Sequence, residues 1–417
     1  MAGDNQSPMD PQVAAAHGSV PTKYSSYRCT TIHRIVYIDT IMNPLPPPLP
    51  DRRLQTIAER EAKLLAPYAT FSAQSLGRKH AEPEHPYRGP FQRDRDRIVH
   101  SSAYRRLSGK MQVFTGNMGD YHRTRLTHTH EVASIARTLG RALRLNEDLV
   151  EALALFHDIG HPPFGHAGED ALHLCLQEEG GFSHNQYALT IAEELEIRDQ
   201  PTNGLNLTME VLNGQATRIH KDSHETAPSL EAQVVEAADS ITYDAHDADD
   251  AVKLGLVSLE ELSELPLVAH CLERIGMSAG ELEPDVRRRA IVHELIDYQV
   301  SHVLETAEPF LQQTGPSEPT MQSFRIGTVD QVAKQKKELE EFLNRRVYRH
   351  PRLLETRDTA QQQLQVMFQG YVQNPHMLPT RFQLRVEHVG LKRSVGDYLA
   401  GMTDRYCNQQ FNQFFAD

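Results

Sequence analysis

The sequence predicts an all-α protein, and three observations support this class. From about residue 51 onward, long stretches carry apolar residues at helical spacing, and almost none alternates as a half-buried strand does. The connectors between them, such as "RDQPTNGLNLT" and "QQTGPSEPT", are rich in turn-forming residues. No run of about 18 apolar residues is present that could span a bilayer. We therefore expect helices that pack around a globular core.

The first 50 residues differ from the rest of the chain. They are rich in small and polar residues and end in "MNPLPPPLP", which favours polyproline or extended backbone over a packed element. We expect residues 1–50 to be a disordered leader, with a translation start at Met42 as the alternative. They lack the basic start and the apolar stretch of roughly 7 to 15 residues of a secretory signal, so the predicted location is cytoplasmic.

Six later stretches show the clearest helical period. They cover residues 51–68, 126–145, 146–158, 229–252, 285–307 and 331–348. Asn146 is expected to cap the third of these helices. Beyond its end, Gly160 suits a C-cap, and Pro162 with Pro163 prevents continuation of the helix. The segment "GHPPFGHAGE" is therefore predicted to be a constrained loop.

The charge and the histidine content of the chain restrict its function. The formal net charge is -13 at pH 7, which argues against a surface built for non-specific binding to nucleic acid. An anionic substrate must therefore meet locally placed positive charge or a metal. The chain has 22 histidines, and eight of them fall between residues 122 and 184. The four cysteines form no CxxC pair, which indicates neither a disulfide framework nor a thiolate zinc site.

Helical geometry separates two neighbouring histidines. His128, Val132, Ile135 and Leu139 lie within an arc of roughly 60° around the helix axis, so His128 points with the core stripe. His130 lies roughly 200° away from His128 and is expected to face solvent. A lone core-facing histidine is most often a hydrogen-bonded structural residue, so His128 needs partners to be a ligand.

Partners for His128 come from two further helices. His157 and Asp158 fall at the C-terminal end of the third helix, and Asp239 lies within the apolar stripe "VVEAADSITY". A buried carboxylate is costly unless it is paired or metal-bound. Two imidazoles and two carboxylates suit a borderline-to-hard divalent metal with positions left open for water or phosphate oxygen. The alternative is a set of buried His–Asp hydrogen bonds without a metal.

The order of the surrounding sequence blocks narrows this interpretation. The spacing H…HD…D is typical of HD-domain metal-dependent phosphohydrolases. The blocks "RGPFQRDRDRIVHSSAYRRLSGKMQVF", "DYHRTRLTHTHEVASIAR", "FHDIGHPPFGHAGEDAL", "GFSHNQYALTI", "VVEAADSITYDAHDADDAV" and "FLNRRVYRHP" occur in the order seen in the deoxyguanosinetriphosphate triphosphohydrolase (dGTPase) family. The chain resembles this family from Arg88 to near its C-terminus, about 330 residues.

The resemblance implies a fold and a domain organisation. The fold would be the HD-domain helical phosphohydrolase fold. Residues 51–417 would form a single dGTPase-like catalytic unit, with an HD core at about 120–260 and a helical C-terminal part at about 261–417. These boundaries follow from the family pattern, since the chain contains no internal repeat that would divide it otherwise.

The resemblance also assigns metal-binding and catalytic positions. The residues that match the family's metal ligands are His128, His157, Asp158 and Asp239. His166 matches the catalytic histidine, and Glu169 matches the carboxylate that works with it. The metal would be Mg²⁺ or Mn²⁺, with Fe²⁺, Co²⁺ or Ni²⁺ as alternatives.

Further positions match residues around the substrate. Arg125 matches an arginine directed at the α-phosphate, and His161 matches a phosphate-contacting histidine. Gln112, Tyr243 and Asp247 match positions around the sugar, where the tyrosine and the aspartate favour deoxyribose. These residues are the substrate-binding set that the resemblance implies.

The implied reaction is hydrolysis of a deoxynucleoside triphosphate, dGTP or another dNTP, to the deoxynucleoside and tripolyphosphate. The resemblance further implies a homo-oligomer, a nucleotide or single-stranded DNA effector, and no membrane partner. Two alternatives stay open. One is another HD phosphohydrolase that acts on nucleoside monophosphates or a signalling nucleotide, and the other is a non-catalytic nucleotide-binding regulator.

One segment departs from the family pattern. After "GFSHN" the row reads "QYALT", which leaves Tyr187 and Thr190 where Gln and Arg are usual. This change puts the substrate contacts of the segment in doubt. For the neighbouring His184, two roles are open: an approach to the phosphates, or a structural hydrogen bond with a loop carbonyl.

Overall fold

The computed structural model describes residues 55–112, 123–197, 203–219, 228–276, 282–313 and 325–415. The leader predicted at residues 1–50 and the alternative start at Met42 lie outside these residues. Contacts group Leu54–Asp417 into one compact unit.

Helices are the regular structure of the described residues. In chain order, the α-helices are α1 (Ile57–Leu64), α2 (Pro90–His100), α3 (Ser102–Arg106), α4 (Arg125–Ala142), α5 (Glu147–Phe156), α6 (Gly165–Cys175), α7 (His184–Thr190), α8 (Met209–Ile219), α9 (Leu230–Lys253), α10 (Leu259–Ser263), α11 (Pro266–Ile275), α12 (Pro284–Gln313), α13 (Asp330–Leu343), α14 (Pro351–Gln373), α15 (Thr380–Val389), α16 (Leu391–Ala400) and α17 (Asp404–Phe414). Two π-helical turns continue α7 and α13, at Ile191–Leu195 and Asn344–Tyr348. Within the described ranges no strand forms, and the predicted all-α class is confirmed.

Each of the six stretches predicted to be helical contains a helix, and caps set where several of them begin. Thr124 caps α4 by accepting a hydrogen bond from the backbone of Thr127. Asn146 caps α5 as predicted, since its side chain accepts from the backbone of Leu149. Ser229 caps α9 in the same way. These side chains satisfy amide groups that helix starts leave without an intrahelical partner.

Three helices form the centre of the fold. α4 packs against α5 and α9, and α5 and α9 also contact each other. Their apolar faces, which include Val132, Leu149 and Val235, are buried in the main hydrophobic cluster. Because each of these helices carries or adjoins a predicted metal ligand, the packing of the core also fixes where the ligands meet.

A second apolar cluster lies around the C-terminal half of α9. It includes Ala248 from α9, Leu267 from α11, Leu295 from α12 and Leu339 from α13. Farther along the chain, α14 packs against α6 and α16. α6 is thereby held by the C-terminal helices. None of the helices in the described ranges combines the length and apolarity needed to cross a bilayer.

Candidate metal and catalytic site

The predicted metal ligands form a compact group. One ligand atom from each of His128, His157 and Asp158 lies within 4.8 Å of the others, and all three residues are buried. Asp239 on α9 brings its Oδ1 to 3.2 Å from Nε2 of His128 and 3.6 Å from Nε2 of His157. The structure therefore brings all four residues together. Imidazole nitrogens and carboxylate oxygens are a donor set that suits a borderline-to-hard divalent metal ion.

His157 is prepared for ligation by the backbone of its own helix. Its Nδ1 lies 2.6 Å from the carbonyl oxygen of Ala154, which can only accept, so Nδ1 carries the proton. Its buried Nε2 has no hydrogen-bond partner in the described structure and faces Asp158 and Asp239 at 3.6 Å. Burial lowers the pKa of His157, which keeps the ring neutral. A ring anchored in this way is the arrangement that metal-ligating histidines use, so the residues present fit a divalent metal.

Asp158 is kept ionised by its neighbours. Arg125 donates from Nη1 to Oδ2 of Asp158 across 2.8 Å, and Nε2 of His161 lies 2.9 Å from Oδ1. Burial by itself would raise the pKa of Asp158, but His161, Arg125 and His157 together hold that pKa well below its usual value. Burial and the charge of Arg125 lower the pKa of His161 as well. A neutral His161 therefore donates to an ionised Asp158.

Asp239 is oriented by an arginine that the sequence analysis did not single out. Arg218 on α8 donates from Nη2 to Oδ2 of Asp239 across 2.6 Å and also pairs with Glu236 at 2.8 Å. Burial by itself would raise the pKa of Asp239, but the neighbouring His157 and the positive charge of Arg218 hold that pKa well below its usual value. The other carboxylate oxygen of Asp239, Oδ1, therefore faces the predicted ligands His128 and His157. A single arginine near a helix end carries no sequence pattern that would have identified this contact.

The predicted catalytic pair lies on a helix, which corrects the expectation of a loop. Only the first part of "GHPPFGHAGE" is irregular, because α6 begins at Gly165 and carries His166 and Glu169 in its first turns. Phe164 adopts the left-handed region at φ 63°, and Gly165 follows at φ 58°. This tight turn starts a new helix directly after the proline pair. Helical backbone therefore fixes the relative position of His166 and Glu169.

Gly160 has a different role from the predicted C-cap. α5 ends at Phe156, and Gly160 does not adopt a positive φ. A Cβ atom at this position would overlap the carbonyl oxygen of His184 and crowd the backbone of Ala188. The turn that carries Asp158 thus lies directly against the backbone of α7, and this close approach brings His184 to the site.

Glu169 connects His166 with His184. Nδ1 of His184 lies 2.8 Å and 2.9 Å from the two carboxylate oxygens, while Nδ1 of His166 lies 3.3 Å from Oε2. Burial opposes ionisation of Glu169, but the hydrogen bonds from His166 and His184 hold its pKa far below the usual value. An ionised carboxylate only accepts, so both rings donate from Nδ1, and this contact leaves their Nε2 atoms free of Glu169. For His184, the partner is therefore a carboxylate and not a loop carbonyl.

His161, Glu169 and His184 form a second group of close donor atoms, but its ring geometry opposes a shared metal. The rings of His161 and His184 are stacked, with centroids 3.8 Å apart and planes inclined by 16°. The lone pair of an imidazole nitrogen lies in the ring plane, and planes so nearly parallel meet only far from the rings. Both histidines cannot direct lone pairs at one ion. We call Glu169, His184 and His161 the histidine relay. Glu169 contacts His184 through a hydrogen bond, His184 stacks on His161, and His161 contacts Asp158.

The residues predicted around the sugar continue along α9 beyond Asp239. Tyr243 and Asp247 follow at steps of four residues, each about 6 Å farther along the axis. Asp247 is buried and accepts a hydrogen bond from the hydroxyl of Tyr348, whose ring lies 6.1 Å from that of Tyr243. Burial, with a smaller effect from Asp250, raises the pKa of Asp247 to about 7. Tyr348 is thus a further member of this cluster, brought in from a π-helical turn.

Gln112 lies beside Arg125. Its carbonyl oxygen accepts from Nη2 of Arg125 at 3.3 Å, and its buried Oε1 has no hydrogen-bond partner in the described part of the chain. The backbone amide of Arg125 also donates to the carbonyl of Lys110 at 2.9 Å. The contacts of Arg125 in the structure are those with Asp158 and Gln112. Its contact with an α-phosphate stays a prediction.

His130 and Tyr187, which the sequence analysis also discussed, each form a hydrogen bond outside the predicted site. His130 is exposed as predicted, and its Nε2 lies 3.2 Å from the hydroxyl of Tyr104. Tyr187 is buried and donates its hydroxyl to the backbone carbonyl of Asp397 at 2.7 Å. Tyr187 therefore joins α7 to α16.

A cavity of about 460 Å³ lies apart from these residues and contains none of the predicted site residues. Its lining includes Arg88, Arg93, Arg97, Glu82 and Asp96. Arg93 and Arg97 both pair with Glu82, and Arg88 pairs with Asp96 at 3.1 Å. The charges of this cavity are thus balanced by ion pairs within its own wall.

Comparison with known proteins agrees with this arrangement. The family model of the HD domain matches residues 125–244, which include all four metal-ligand positions, and that of the phosphohydrolase-associated domain matches residues 326–413.

Several relatives carry the name deoxyguanosinetriphosphate triphosphohydrolase-like protein, and three of them illustrate the similarity. The protein from Brucella ovis is 41% identical over 384 residues, covering 84% of this chain and 95% of its own. Those from Nitrosomonas europaea and Geobacter metallireducens are 38% and 37% identical, covering 84% and 85% of this chain and 98% and 96% of their own. The chain therefore belongs to the family of deoxyguanosinetriphosphate triphosphohydrolase-like proteins with an HD domain.

Proposed function

We propose that the chain hydrolyses a deoxynucleoside triphosphate, dGTP or another dNTP, to the deoxynucleoside and tripolyphosphate. The observation that carries this proposal is the 2.9 Å contact between Nε2 of His161 and Oδ1 of Asp158. It joins the metal-ligand group and the histidine relay into one continuous site. Phosphoryl transfer to water needs charge neutralisation beside a proton-transferring group, and this site offers both.

The four ligand residues would hold a divalent ion, Mg²⁺ or Mn²⁺, with Fe²⁺, Co²⁺ or Ni²⁺ as alternatives. When bound, such an ion supplies positive charge to a phosphoryl oxygen and an orientation for water. Arg125 and Arg218 keep the carboxylates of Asp158 and Asp239 ionised and in place. The chain thereby offers deprotonated oxygen ligands at neutral pH despite their burial.

Proton transfer is assigned to His166. Glu169 holds the Nδ1 proton of His166, and 66% of the His166 side chain is exposed, so its Nε2 is accessible to a reacting group. In the proposed reaction, a water oxygen bonds to the α-phosphorus and the bond from phosphorus to the 5′-oxygen breaks. His166 takes a proton from the water and returns one to the leaving 5′-oxygen. The net change is the addition of one water molecule.

Substrate binding is assigned to residues on both sides of the metal group. Arg125 would supply the local positive charge that phosphates need in a chain of net charge -13, and His161 would contact the phosphates, as the family match implies. Gln112, Tyr243 and Asp247 would meet the sugar, with Asp247 accepting from the 3′-hydroxyl. The hydrogen bond from Tyr348 restrains the Asp247 side chain and supports this assignment.

Incubation of the purified chain with each dNTP and Mg²⁺ or Mn²⁺ tests the proposal. We expect tripolyphosphate and deoxynucleoside as the products. Release of pyrophosphate or orthophosphate would overturn the reaction assignment. Turnover of nucleoside monophosphates or a signalling nucleotide alone would favour the second HD phosphohydrolase function, and nucleotide binding without turnover would favour a regulator. A cytoplasmic location, a homo-oligomer, and a nucleotide or single-stranded DNA effector remain predictions from the sequence and its family.

A further inference from the structure

The turn before α6 needs support from outside its own segment. Phe164 occupies the left-handed region at φ 63°, which residues with a side chain rarely adopt. It is the N-cap position of α6, yet its side chain makes no capping hydrogen bond. A backbone of this kind persists only where its surroundings determine it. Because α6 carries His166 and Glu169, whatever holds Phe164 also determines where these two residues lie.

Asp404 supplies that support from the C-terminal part of the chain. Its Oδ1 accepts from the backbone amide of Phe164 at 2.9 Å, and its Oδ2 accepts from the backbone amide of Met111 at 2.9 Å. Asp404 is the first residue of α17 and is only 9% exposed. A charged carboxylate forms stronger hydrogen bonds to amides than a neutral acceptor does. One side chain thus fixes two segments that are 53 residues apart in sequence.

Lys110 makes a parallel connection next to Asp404. Its buried Nζ donates to the carbonyl oxygens of His161 and Ala400, the latter at 3.1 Å. The same two regions of the chain also touch at Gly109, where a Cβ atom would lie 2.9 Å from Cγ2 of Thr403. Residues 109–111 therefore lie between the irregular segment before α6 and the start of α17.

The segments held by Asp404 carry residues of the proposed active site. Met111 precedes Gln112, and the carbonyl of Lys110 accepts from the amide of Arg125 at 2.9 Å. Phe164 precedes the helix of His166 and Glu169. Asp404 itself contacts neither the metal-ligand side chains nor the relay side chains through a hydrogen bond among the described residues. Its hydrogen bonds therefore reach the proposed active site through the two backbone segments.

We propose that Asp404 is a positioning residue, whose two carboxylate oxygens set the distance between the segment of Gln112 and the helix of His166 and Glu169. This inference rests on the proposed function. Through Asp404, the C-terminal helix α17 would help to position His166 and Glu169, the residues proposed to transfer protons. Removal of the carboxylate would leave the metal ligands in place and displace the residues that act on the substrate.

The test compares three full-length variants with the wild-type chain. Asp404→Ala removes both acceptors, and Asp404→Asn leaves one. Asp397→Asn is the matched control, since Asp397 is also a buried aspartate of the C-terminal helices, but its carboxylate pairs with Arg385 at 2.7 Å and not with the amides of Phe164 and Met111. For each protein we would measure kcat, KM, bound metal per chain, the melting temperature and hydrogen exchange of the peptide containing Phe164.

We expect Asp404→Ala to lower kcat about a hundredfold, which is the scale for a small misplacement of catalytic groups. Asp404→Asn should lower kcat less, and bound metal should stay at the wild-type value in both. Exchange at Phe164 should become faster in the Asp404 variants and stay unchanged in Asp397→Asn. A kcat for Asp404→Ala within a few-fold of that for Asp397→Asn would overturn the proposal.

Two further outcomes are distinguishable. If Asp404→Ala fails to fold, Asp404→Asn decides: a folded Asp404→Asn chain with wild-type kcat and wild-type exchange overturns the proposal. If the wild-type chain releases no tripolyphosphate from any dNTP, the proposed function fails. The exchange measurement then still tests the contact, because unchanged exchange at Phe164 in Asp404→Ala contradicts it without reference to activity.

Discussion

Arg125 and Asp158 form a buried ion pair, with Nη1 and Oδ2 separated by 2.8 Å and only 2% and 7% of the two side chains exposed. The same guanidinium donates from Nη2 to the carbonyl of Gln112, while its buried Nε has no partner in the described structure. A guanidinium has five N–H groups and these two bonds use two of them, so we predict that Arg125 holds Asp158 and also donates to a phosphate. If so, its effect on stability can be measured apart from its effect on catalysis.

Replacement of Arg125 by methionine should destabilise the metal-free chain. Asp158 would keep a buried charge without its arginine, and breaking a buried pair in this way costs about 3 kcal/mol or more. Mn²⁺ should restore much of this loss, since the ion offers Asp158 a new positive partner. Urea unfolding with and without Mn²⁺ measures both effects.

Arg137→Met is the control, because Arg137 lies on the same helix with 41% of its side chain exposed. This variant should change the free energy of unfolding by no more than about 0.5 kcal/mol. Equal losses for the two variants would contradict the role of the buried pair.

Removal of a metal ligand should abolish metal binding and turnover together. His157→Ala removes the unpartnered Nε2, and Asp158→Ala removes a carboxylate that is held ionised. Metal content by elemental analysis and tripolyphosphate release measure the two effects. His130→Ala should leave both unchanged, because His130 is exposed on the opposite side of α4. Full metal content in His157→Ala would remove His157 from the site, and a large loss in His130→Ala would refute the helical-face argument.

Replacement of His166 by alanine should separate metal binding from catalysis. We expect the variant to retain its metal and to lose kcat by a factor of about 10² to 10⁴, the range typical of general acid–base groups. In the described structure, His166 contacts Glu169 and forms no hydrogen bond or ion pair with the four predicted metal ligands. Removal of His166 should therefore not release the metal. Single-turnover kinetics with metal analysis on the same samples would measure this. A fully active His166→Ala enzyme would exclude His166 from the mechanism.

Asp247 should make stability depend on pH. Its pKa in the folded chain is raised to about 7, so its contribution is fully present below the usual carboxyl pKa of about 4 and is lost as pH rises toward 7. Between pH 5 and pH 7 the wild-type chain should lose about 2 kcal/mol relative to Asp247→Asn, which cannot ionise. Urea unfolding at several pH values measures this difference.

The control for this pH dependence is Asp285→Asn, since 65% of the Asp285 side chain is exposed. This variant should follow the wild-type pH dependence. A difference between wild type and Asp247→Asn that stays constant from pH 5 to pH 8 would contradict the raised pKa.

Local sequence was sufficient for the helices and for the metal-ligand group. The 3.6-residue period placed His128 in the core and His130 at the surface, and the Asn146 cap was visible in the residue types alone. Asp239 could be identified because a carboxylate in an apolar stripe requires a partner. These inferences depend on periodicity and burial, which a single sequence carries.

The remaining features depend on contacts between distant segments. Arg218 and Tyr348 reach Asp239 and Asp247 only after α8 and the turn after α13 pack on α9. The left-handed turn at Phe164 carries no signal either, because it is held by a residue 240 positions later. Pro162 and Pro163 indicated that a helix could not continue through them, but they could not indicate that α5 already ends at Phe156 or that α6 begins at Gly165.

Gly160 gives the site a spatial constraint that no functional group supplies. The turn of Asp158 and the backbone of His184 approach so closely that one methyl group would force them apart. Such a separation would also pull the His184 ring away from the His161 ring on which it stacks. The alignment of His184 and His161 with the predicted metal ligands therefore depends on the absence of a side chain at residue 160. A larger residue at position 160 is therefore expected to widen the proposed site through the backbone alone.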